Sequence, residues 1–354
     1  MVRLALVMIV RDEASRIARC LDSARPFVDD MVVLDTGSLD DTVAIARACG
    51  ARVFPFAWCD DFAAARNAAL DHSQADWNLV LDADEWIEAG TDGAVLAQVP
   101  GSTPCIGVLP VTNEFDLDGS VATSVLWLPR LLPRGVRYGG RIHEQPMSGL
   151  PRRRVALPVR HDGYRAGSLE RKHGRNDALL QRALSESPGD SYLLYQLGKN
   201  NEVYGTYAEA TTHYLAALAN CGDKPYRHDL VVRTVFCLKK AGRHGEGMQL
   251  AEAEMARWSD SPDFYFTLGD LLLDWASAEP ARAGELLPLV EECWQRCLQL
   301  GERDDLSGAV AGRGSFLAAH NLTVLYDSLG MAEQAARYRA LALRPGHDQE
   351  RRKP

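Results

Sequence analysis

Leu79-Val80-Leu81-Asp82-Ala83-Asp84-Glu85 sets a short apolar run directly before two carboxylates spaced two residues apart. If the run is a buried strand, Asp82 and Asp84 leave its end on the same face, because side chains alternate with period two. Such an anionic claw suits a hard divalent cation that keeps coordination positions for phosphate oxygens. A solvated acidic turn has the same short sequence, so the neighbouring segments decide.

Those neighbours alternate between two periodicities. Leu4 to Val10 is an apolar run, followed by a helical pattern from Glu13 to Leu21. Met31 to Leu34 reads as a second strand, with a helix through Val43, Ile45 and Ala46 behind it. Arg52 to Phe54 gives a short third strand, Phe62 to Leu70 a helix with Phe62, Ala65 and Ala69 on its apolar face, and Asn78 to Leu81 the fourth strand. This βαβ succession predicts an α/β, Rossmann-like domain with a mainly parallel sheet covered on both faces. Ligands of such sheets sit outside the carboxyl ends of the strands. Polar clusters fall at those ends: Arg11-Asp12-Glu13 after the first strand, Asp35-Thr36-Gly37-Ser38 after the second and Asp82-Ala83-Asp84 after the fourth. The three are expected to converge on one cleft.

Composition narrows the classes. The 354 residues are enough for two domains, and 46% hydrophobic with 25% charged residues is the balance of a soluble globular protein. No run approaches the roughly 18 apolar residues of a membrane span, and the apolar amino terminus stops at Arg11-Asp12-Glu13 without a cleavage site. A cytoplasmic protein is expected. The eight cysteines form no CxxC pair, and Cys293 and Cys297, four apart on a helical pattern, read as packed small hydrophobes. A net charge of −9 argues against nucleic-acid binding. Against that balance, nine arginines lie between Arg130 and Arg165, with only Glu144 and Asp162 as acidic residues. Arg152 to Arg154 read as a solvated loop, and some of the others as phosphate ligands, since guanidinium matches phosphate oxygens bidentately.

The order Val10-Arg11-Asp12-Glu13, Leu34-Asp35-Thr36-Gly37-Ser38-Leu39-Asp40-Asp41-Thr42, Asp61-Phe62-Ala63-Ala64-Ala65-Arg66-Asn67 and Leu81-Asp82-Ala83-Asp84-Glu85 resembles a family 2 glycosyltransferase of the GT-A fold over about the first 165 residues. The later Tyr138-Gly139-Gly140-Arg141-Ile142-His143-Glu144 and Val159-Arg160-His161-Asp162-Gly163-Tyr164 resemble the branch that holds lipopolysaccharide-core glucosyltransferases and sublancin-type peptide S-glycosyltransferases. Asp12 stands where that branch usually has Asn, and Leu39 where it usually has Thr. The resemblance implies an inverting transfer of a hexose-type sugar from a nucleotide-sugar, usually a UDP-sugar, with Mn2+ or Mg2+. It implies a donor-binding set of Val10, Arg11, Glu13, Asp35, Arg66, Asp82 and Ala83, in which Asp35 meets the base and Asp82 the ribose. Asp84 would hold the metal, which bridges the diphosphate, and His161 is a further ligand or a diphosphate contact. The metal and arginines would stabilise the charge that builds on the departing diphosphate. Glu144 stands where the family carries its catalytic acidic residue, and His143 is the other candidate for the base, with Glu144 then orienting it. A structural ion pair between Glu144 and an arginine is the competing reading.

Past Arg165 the pattern turns helical. Tyr192 to Leu218 carries Leu197-Gly198, Gly205, Ala210, Tyr214 and Ala217, the spacing of a tetratricopeptide repeat, in which small residues let two helices cross closely. Gly242 with Leu250, Leu268-Gly269 with Leu272, and Tyr326 with Gly330, Ala335 and Tyr338 repeat it imperfectly. Trp258, Trp275 and Trp294 read as core. The expectation is a catalytic domain over residues 1–165 and a tetratricopeptide-like all-α domain over 166–354. The second would bind a peptide, protein or saccharide acceptor or pair two copies in a homodimer. The rival is a repeat scaffold whose first domain binds nucleotide-sugar without turnover. A nucleotidyltransferase is disfavoured because no glycine-rich phosphate loop follows the first strand.

Overall fold

The computed structural model describes residues 2–94, 104–117, 120–162 and 174–343. By compactness the chain divides into Met1–Glu186 and Ser187–Pro354, whereas the change of periodicity placed the boundary at 165/166. Helix α4 (Arg175–Glu186) therefore goes with the first unit, where Glu186 meets the Arg141 guanidinium at 3.3 Å.

The first unit is built on one mixed sheet. Strands β1 (Leu4–Val10), β2 (Asp30–Asp35), β3 (Arg52–Pro55) and β4 (Trp77–Val80) run parallel, as the βαβ pattern requires. Beyond them lie β5 (Glu85–Ile87), β6 (Ile106–Leu117), β7 (Ser120–Pro133), β10 (Arg152–Arg154) and β11 (Val159–His161). The spatial order is β3-β2-β1-β4-β7-β6-β11-β5, with β10 also on β6. β7 is antiparallel to both β4 and β6, and β11 is parallel to β6 but antiparallel to β5. A separate ribbon pairs β8 (Arg137–Gly139) with β9 (Gln145–Met147).

Strand alternation divides the core. Leu6, Met8 and Val10 pack with Ile17, Cys20 and Leu21 of α1 (Ile17–Ala24) and Ala46 of α2 (Thr42–Ala48). Ala5 and Val7 point the other way, onto Ala65 and Ala69 of α3 (Phe62–Asp71). Two differences from the sequence reading matter for the expected site. The first helix starts at Ile17, not Glu13: Asp12 takes φ 55°, and the Glu13 and Ala14 N–H groups go to Thr42 and Asp40 of the neighbouring loop. The long β6/β7 hairpin lies outside the βαβ pattern that the sequence predicts. Arg152 to Arg154 form an exposed strand rather than a loop.

The described residues of the second unit are mainly helical, with a two-residue strand at Ala309–Val310. Its hairpins are α5 (Ser191–Val203) with α6 (Tyr207–Asn220), α7 (Arg227–Lys240) with α8 (His244–Glu254), α9 (Pro262–Ala278) with α10 (Ala283–Leu300), and α11 (Phe316–Ser328) with α12 (Ala332–Arg339). Gly205, Gly242 and Gly330 take positive φ in three of the connecting turns, as the repeat spacing expects. Trp294 is fully buried in the common core, while Trp258 and Trp275 are only packed against it. Burial pushes the Cys293 thiol up to about 12, and the described cysteines are all free thiols. No described helix is long and apolar enough to cross a membrane.

Gly198 shows why the repeat spacing needs a small residue. A Cβ there would lie 2.3 Å from the ring of Tyr214, which is itself wholly buried. Gly198→Ala is expected to destabilise the helical unit by about 1–3 kcal/mol through overpacking, read as a lower midpoint in urea unfolding followed by circular dichroism.

Candidate active site

The segment Asp61 to Asn67 acts as a bracket. Asp61 caps α3 by accepting the Ala64 N–H at 2.9 Å. Asn67 clamps the backbone of Tyr138, donating to its carbonyl at 3.0 Å and accepting its N–H at 2.8 Å. Phe62 N–H donates to the Arg141 carbonyl at 2.8 Å. The loop from Tyr138 to Glu144 is thus stapled along α3. Gly140 at φ 94° and His143 at φ 51° bend it back until Glu144 reaches Arg66.

From that contact a row of alternating charges runs inward. Arg66 Nε donates to Glu144 Oε1 in a very short ion pair, and Arg66 Nη2 donates to Asp82 Oδ1 at 2.7 Å. Arg130 Nη2 donates to Asp82 Oδ2 at 2.9 Å and, again in a very short contact, to Glu85 Oε1. Asp82 and Glu85 also close on each other: Glu85 N–H donates to the Asp82 carbonyl at 2.9 Å, and Asp82 N–H to Glu85 Oε2 at 3.0 Å. Burial pushes the Asp82 carboxyl up, but the guanidiniums of Arg66 and Arg130 more than reverse this and hold it well below the usual carboxylate range. Glu85 moves the other way, raised by burial and by Asp82 against the pull of Arg130. Burial also pushes the Tyr138 hydroxyl up to about 12.

Asp84 has a separate environment. The chain turns after Val80, so Asp82 and Asp84 do not form the joint claw that two side chains on one strand face would make. Asp82 is held by the two arginines, whereas the buried Asp84 faces His161, with Oδ2 to Nε2 at 3.4 Å. The β5/β11 register sets His161 opposite Glu85, and the β6/β11 register sets it beside Asn113, whose Oδ1 lies 2.8 Å from His161 Nδ1. A separation of 3.4 Å is long for a hydrogen bond and shorter than two magnesium–ligand bonds of about 2.1 Å end to end, so both atoms can bind one ion. One carboxylate and one imidazole suit Mn2+ or Mg2+ and leave positions for phosphate oxygens. Among the described residues, no group of three or more His, Cys, Asp or Glu comes together.

The loops after β1 and β2 are tied to each other by hydrogen bonds. Asp12 N–H donates to Ser38 Oγ at 2.9 Å, Leu39 N–H to Asp12 Oδ1 at 2.7 Å, and Glu13 N–H to Thr42 Oγ1 at 2.8 Å. The Val10 carbonyl accepts both the N–H and the hydroxyl of Thr36. Asp35 accepts the N–H groups of Gly37 and Ser38 at 3.3 and 3.1 Å, which makes it a turn former as well as a candidate base contact. The Arg11 guanidinium is half exposed, 3.9 Å from Asp12. Glu13 pairs with Arg16 at 3.4 Å. Arg16 and Arg19 both reach Asp162, at 3.5 and 2.7 Å, and Arg19 stacks over Trp86 at 3.6 Å. That strap ties the residue after His161 to α1.

The structure therefore brings Arg66, Asp82 and Glu144 into one ion-paired row, and Asp84 and His161 into another contact, joined through the turn at Ala83. Val10 and Asp35 are the last residues of β1 and β2, and Arg11 and Glu13 lie on the loop after β1. Sequence reasoning missed Arg130, Glu85 and Asn113 as site residues. Arg130 belongs to the arginine cluster and Glu85 to the acidic turn, whereas Asn113 carries no sequence signal of its own.

Residues 5–122 match the family described as Glycosyl transferase family 2. A TPR repeat-containing protein of Synechococcus elongatus is 38% identical over 214 residues, 56% of this chain and 52% of that protein. The SPbeta prophage-derived glycosyltransferase SunS of Bacillus subtilis is 28% identical over 229 residues, 60% of this chain and 52% of that protein. A structure of glucosyl-3-phosphoglycerate synthase from Mycobacterium tuberculosis, in complex with Mn2+, UDP and glucosyl-3-phosphoglycerate, aligns at 23% identity over 31% of this chain and 44% of that one, with a TM-score of 0.26. The amino-terminal unit is an α/β domain, and a unit of tetratricopeptide-like helical hairpins follows it in the chain. The match to Glycosyl transferase family 2 falls on the strands and helices of that first unit, from β1 into β7. The chain spans about half the length of the curated relatives it matches.

Removing the Arg66 charge leaves Glu144 without the cation that Nε supplies and Asp82 with one partner. Arg66→Leu is expected to cost about 3–5 kcal/mol of stability, the usual effect of breaking a buried pair from one side. Chemical denaturation of the variant against the parent protein measures it.

Proposed function

We propose that this chain is a metal-dependent, inverting glycosyltransferase that moves a hexose-type sugar from a UDP-sugar to a peptide side chain or a saccharide hydroxyl. The observation that carries this reading is the Asp84–His161 contact, set at the strand ends beside an Asp82 already neutralised by Arg66 and Arg130. The family 2 domain supports it, as does the glycosyltransferase name of the Bacillus subtilis relative.

In this reading Asp84 and His161 hold the divalent ion, which when bound stabilises the charge on the leaving diphosphate. Val10, Arg11, Glu13 and Asp35 line the nucleoside side, with Asp35 toward the base and Asp82 and Ala83 toward the ribose. Glu144 takes the proton of the attacking acceptor, with its carboxylate aimed by Arg66 and with His143 next to it on the bent loop. The positive φ of His143 fits this role, since strained backbone concentrates where a side chain must be aimed. The helical unit is proposed to hold the acceptor or to pair two copies of the chain.

Asp84→Ala is expected to lower sugar transfer and donor hydrolysis by about 10³-fold, the loss of several kcal/mol of charge stabilisation. Its circular dichroism and melting should stay close to those of the parent protein. Release of UDP from a panel of UDP-sugars, with and without Mn2+, is the measurement, with mass spectrometry of peptide and saccharide acceptors naming the product. Full turnover in the chelated protein or in Asp84→Ala contradicts the metal role. Binding of UDP-sugars without any UDP release, whatever the acceptor, favours a non-catalytic scaffold.

A further inference from the structure

We infer that Asn113 is a positioning residue that fixes the tautomer of His161, so that the imidazole presents a lone pair at Nε2 to the ion it would share with Asp84. The inference rests on the metal reading of Asp84 and His161 given above.

Asn113 is 3% exposed and sits on β6 directly beside His161 on β11, so both side chains leave the same face of the sheet. Its amide orientation is decided by its surroundings. Nδ2 lies 3.4 Å from each of two backbone carbonyls, those of Val111 and Ser124, and a carbonyl can only accept. Turning the amide over would set Oδ1 against both carbonyls. With Nδ2 directed at the carbonyls, Oδ1 is the atom 2.8 Å from His161 Nδ1, and it too can only accept. Nδ1 must then carry the hydrogen. In the neutral ring this leaves the lone pair on Nε2, the nitrogen that faces the Asp84 carboxylate at 3.4 Å. Two electron-rich atoms held that close call for a proton or a cation between them. Asn113 thereby turns His161 from a ring of undefined tautomer into a ligand aimed from the metal side.

The hydrogen bond also fixes the plane of the ring. His161 ends β11, one residue before the Asp162 that Arg16 and Arg19 hold, so the backbone is anchored by that strap and the imidazole by Asn113. Orienting partners of metal-bound histidines typically contribute 10–100-fold to metal affinity.

The test uses the full chain in four forms: parent, Asn113→Ala, Asn113→Asp and His161→Ala. Mn2+ binding in the presence of UDP is followed by electron paramagnetic resonance of the free ion, and the ring nitrogens of His161 by 15N NMR of the metal-free protein at pH 8. The parent is expected to show the Nδ1-protonated ring. Asn113→Ala should bind Mn2+ about 10–100-fold more weakly and show mixed tautomers, and Asn113→Asp, which keeps an accepting oxygen toward Nδ1 but sets the other against the Val111 and Ser124 carbonyls, should keep the Nδ1-protonated ring with only partial recovery of affinity. An Nε2-protonated neutral ring in the parent overturns the inference, and does so even if Asn113→Ala fails to fold. Unchanged Mn2+ affinity in Asn113→Ala alongside weakened binding in His161→Ala removes the role of Asn113 but leaves the metal site standing. Unchanged affinity in His161→Ala removes the metal role of His161 itself.

Discussion

Five buried or half-buried charges in alternating order, Glu144, Arg66, Asp82, Arg130 and Glu85, fix the mutual arrangement of the elements around the candidate site. Such a row adds little net stability over an apolar core of the same shape, because desolvating each ion offsets most of the attraction. What it does supply is register. Each guanidinium must meet two carboxylates at once, so the α3 helix, the turn after β4, strand β7 and the loop before β9 have one mutual arrangement that leaves no charge stranded. Three carboxylates against two guanidiniums also leave the row one negative charge in excess. Asp84, one residue beyond Ala83, adds a further carboxylate on the His161 side. A site with that balance attracts cations, and the proposed divalent ion would meet the excess where the sheet ends.

The motif around Arg66 gains a physical account from this. Asp61, Arg66 and Asn67 are not three ligands of one substrate. Asp61 starts the helix, Asn67 grips the Tyr138 backbone from both sides, and Arg66, between them, takes the carboxylate that the gripped loop delivers. The alanines between are small because the same helix covers Ala5 and Val7 of the central strand. A helix that must both cover a sheet and hold a loop has little freedom in sequence, which is why its pattern stands out.

The parallel part of the sheet was legible because buried strands and amphipathic helices leave strong periodic signals, and the repeat unit because glycines such as Gly198 and Gly205 recur where helices cross or turn. The candidate site was legible as a set of strand ends but not as a network of ion pairs. Nothing in Asp82-Ala83-Asp84 says that the chain turns after Val80 and sends the first carboxylate to Arg66 and Arg130 while the second goes to His161. That division depends on partners 16, 48 and 77 residues away in sequence. Arg130 and Asn113 lie on the β6/β7 hairpin, which is not part of the βαβ pattern, so the sequence assigns their side chains to no face. Glu144 was legible as a carboxylate in an arginine-rich segment, and its actual partner, Arg66, belongs to another motif altogether.

The two departures from the family pattern, Asp12 and Leu39, turn out to be one contact. Asp12 sits at φ 55°, a conformation that short polar side chains tolerate best, and its Oδ1 accepts the N–H of residue 39. An asparagine at position 12 has an equivalent oxygen for that bond, so the exchange keeps the backbone of the loop intact while adding a negative charge. At position 39 the contribution to the bond comes from the main chain, and the Leu39 side chain is 92% exposed. The side chain there is therefore free to vary without disturbing the link between the two loops. The scaffold of the two loops is carried by Ser38, Thr42 and Asp40, which receive the N–H groups of Asp12, Glu13 and Ala14 in turn. Variation at 12 and 39 consequently changes the charge and the apolar surface that these loops present, while the hydrogen bonds that shape them stay the same.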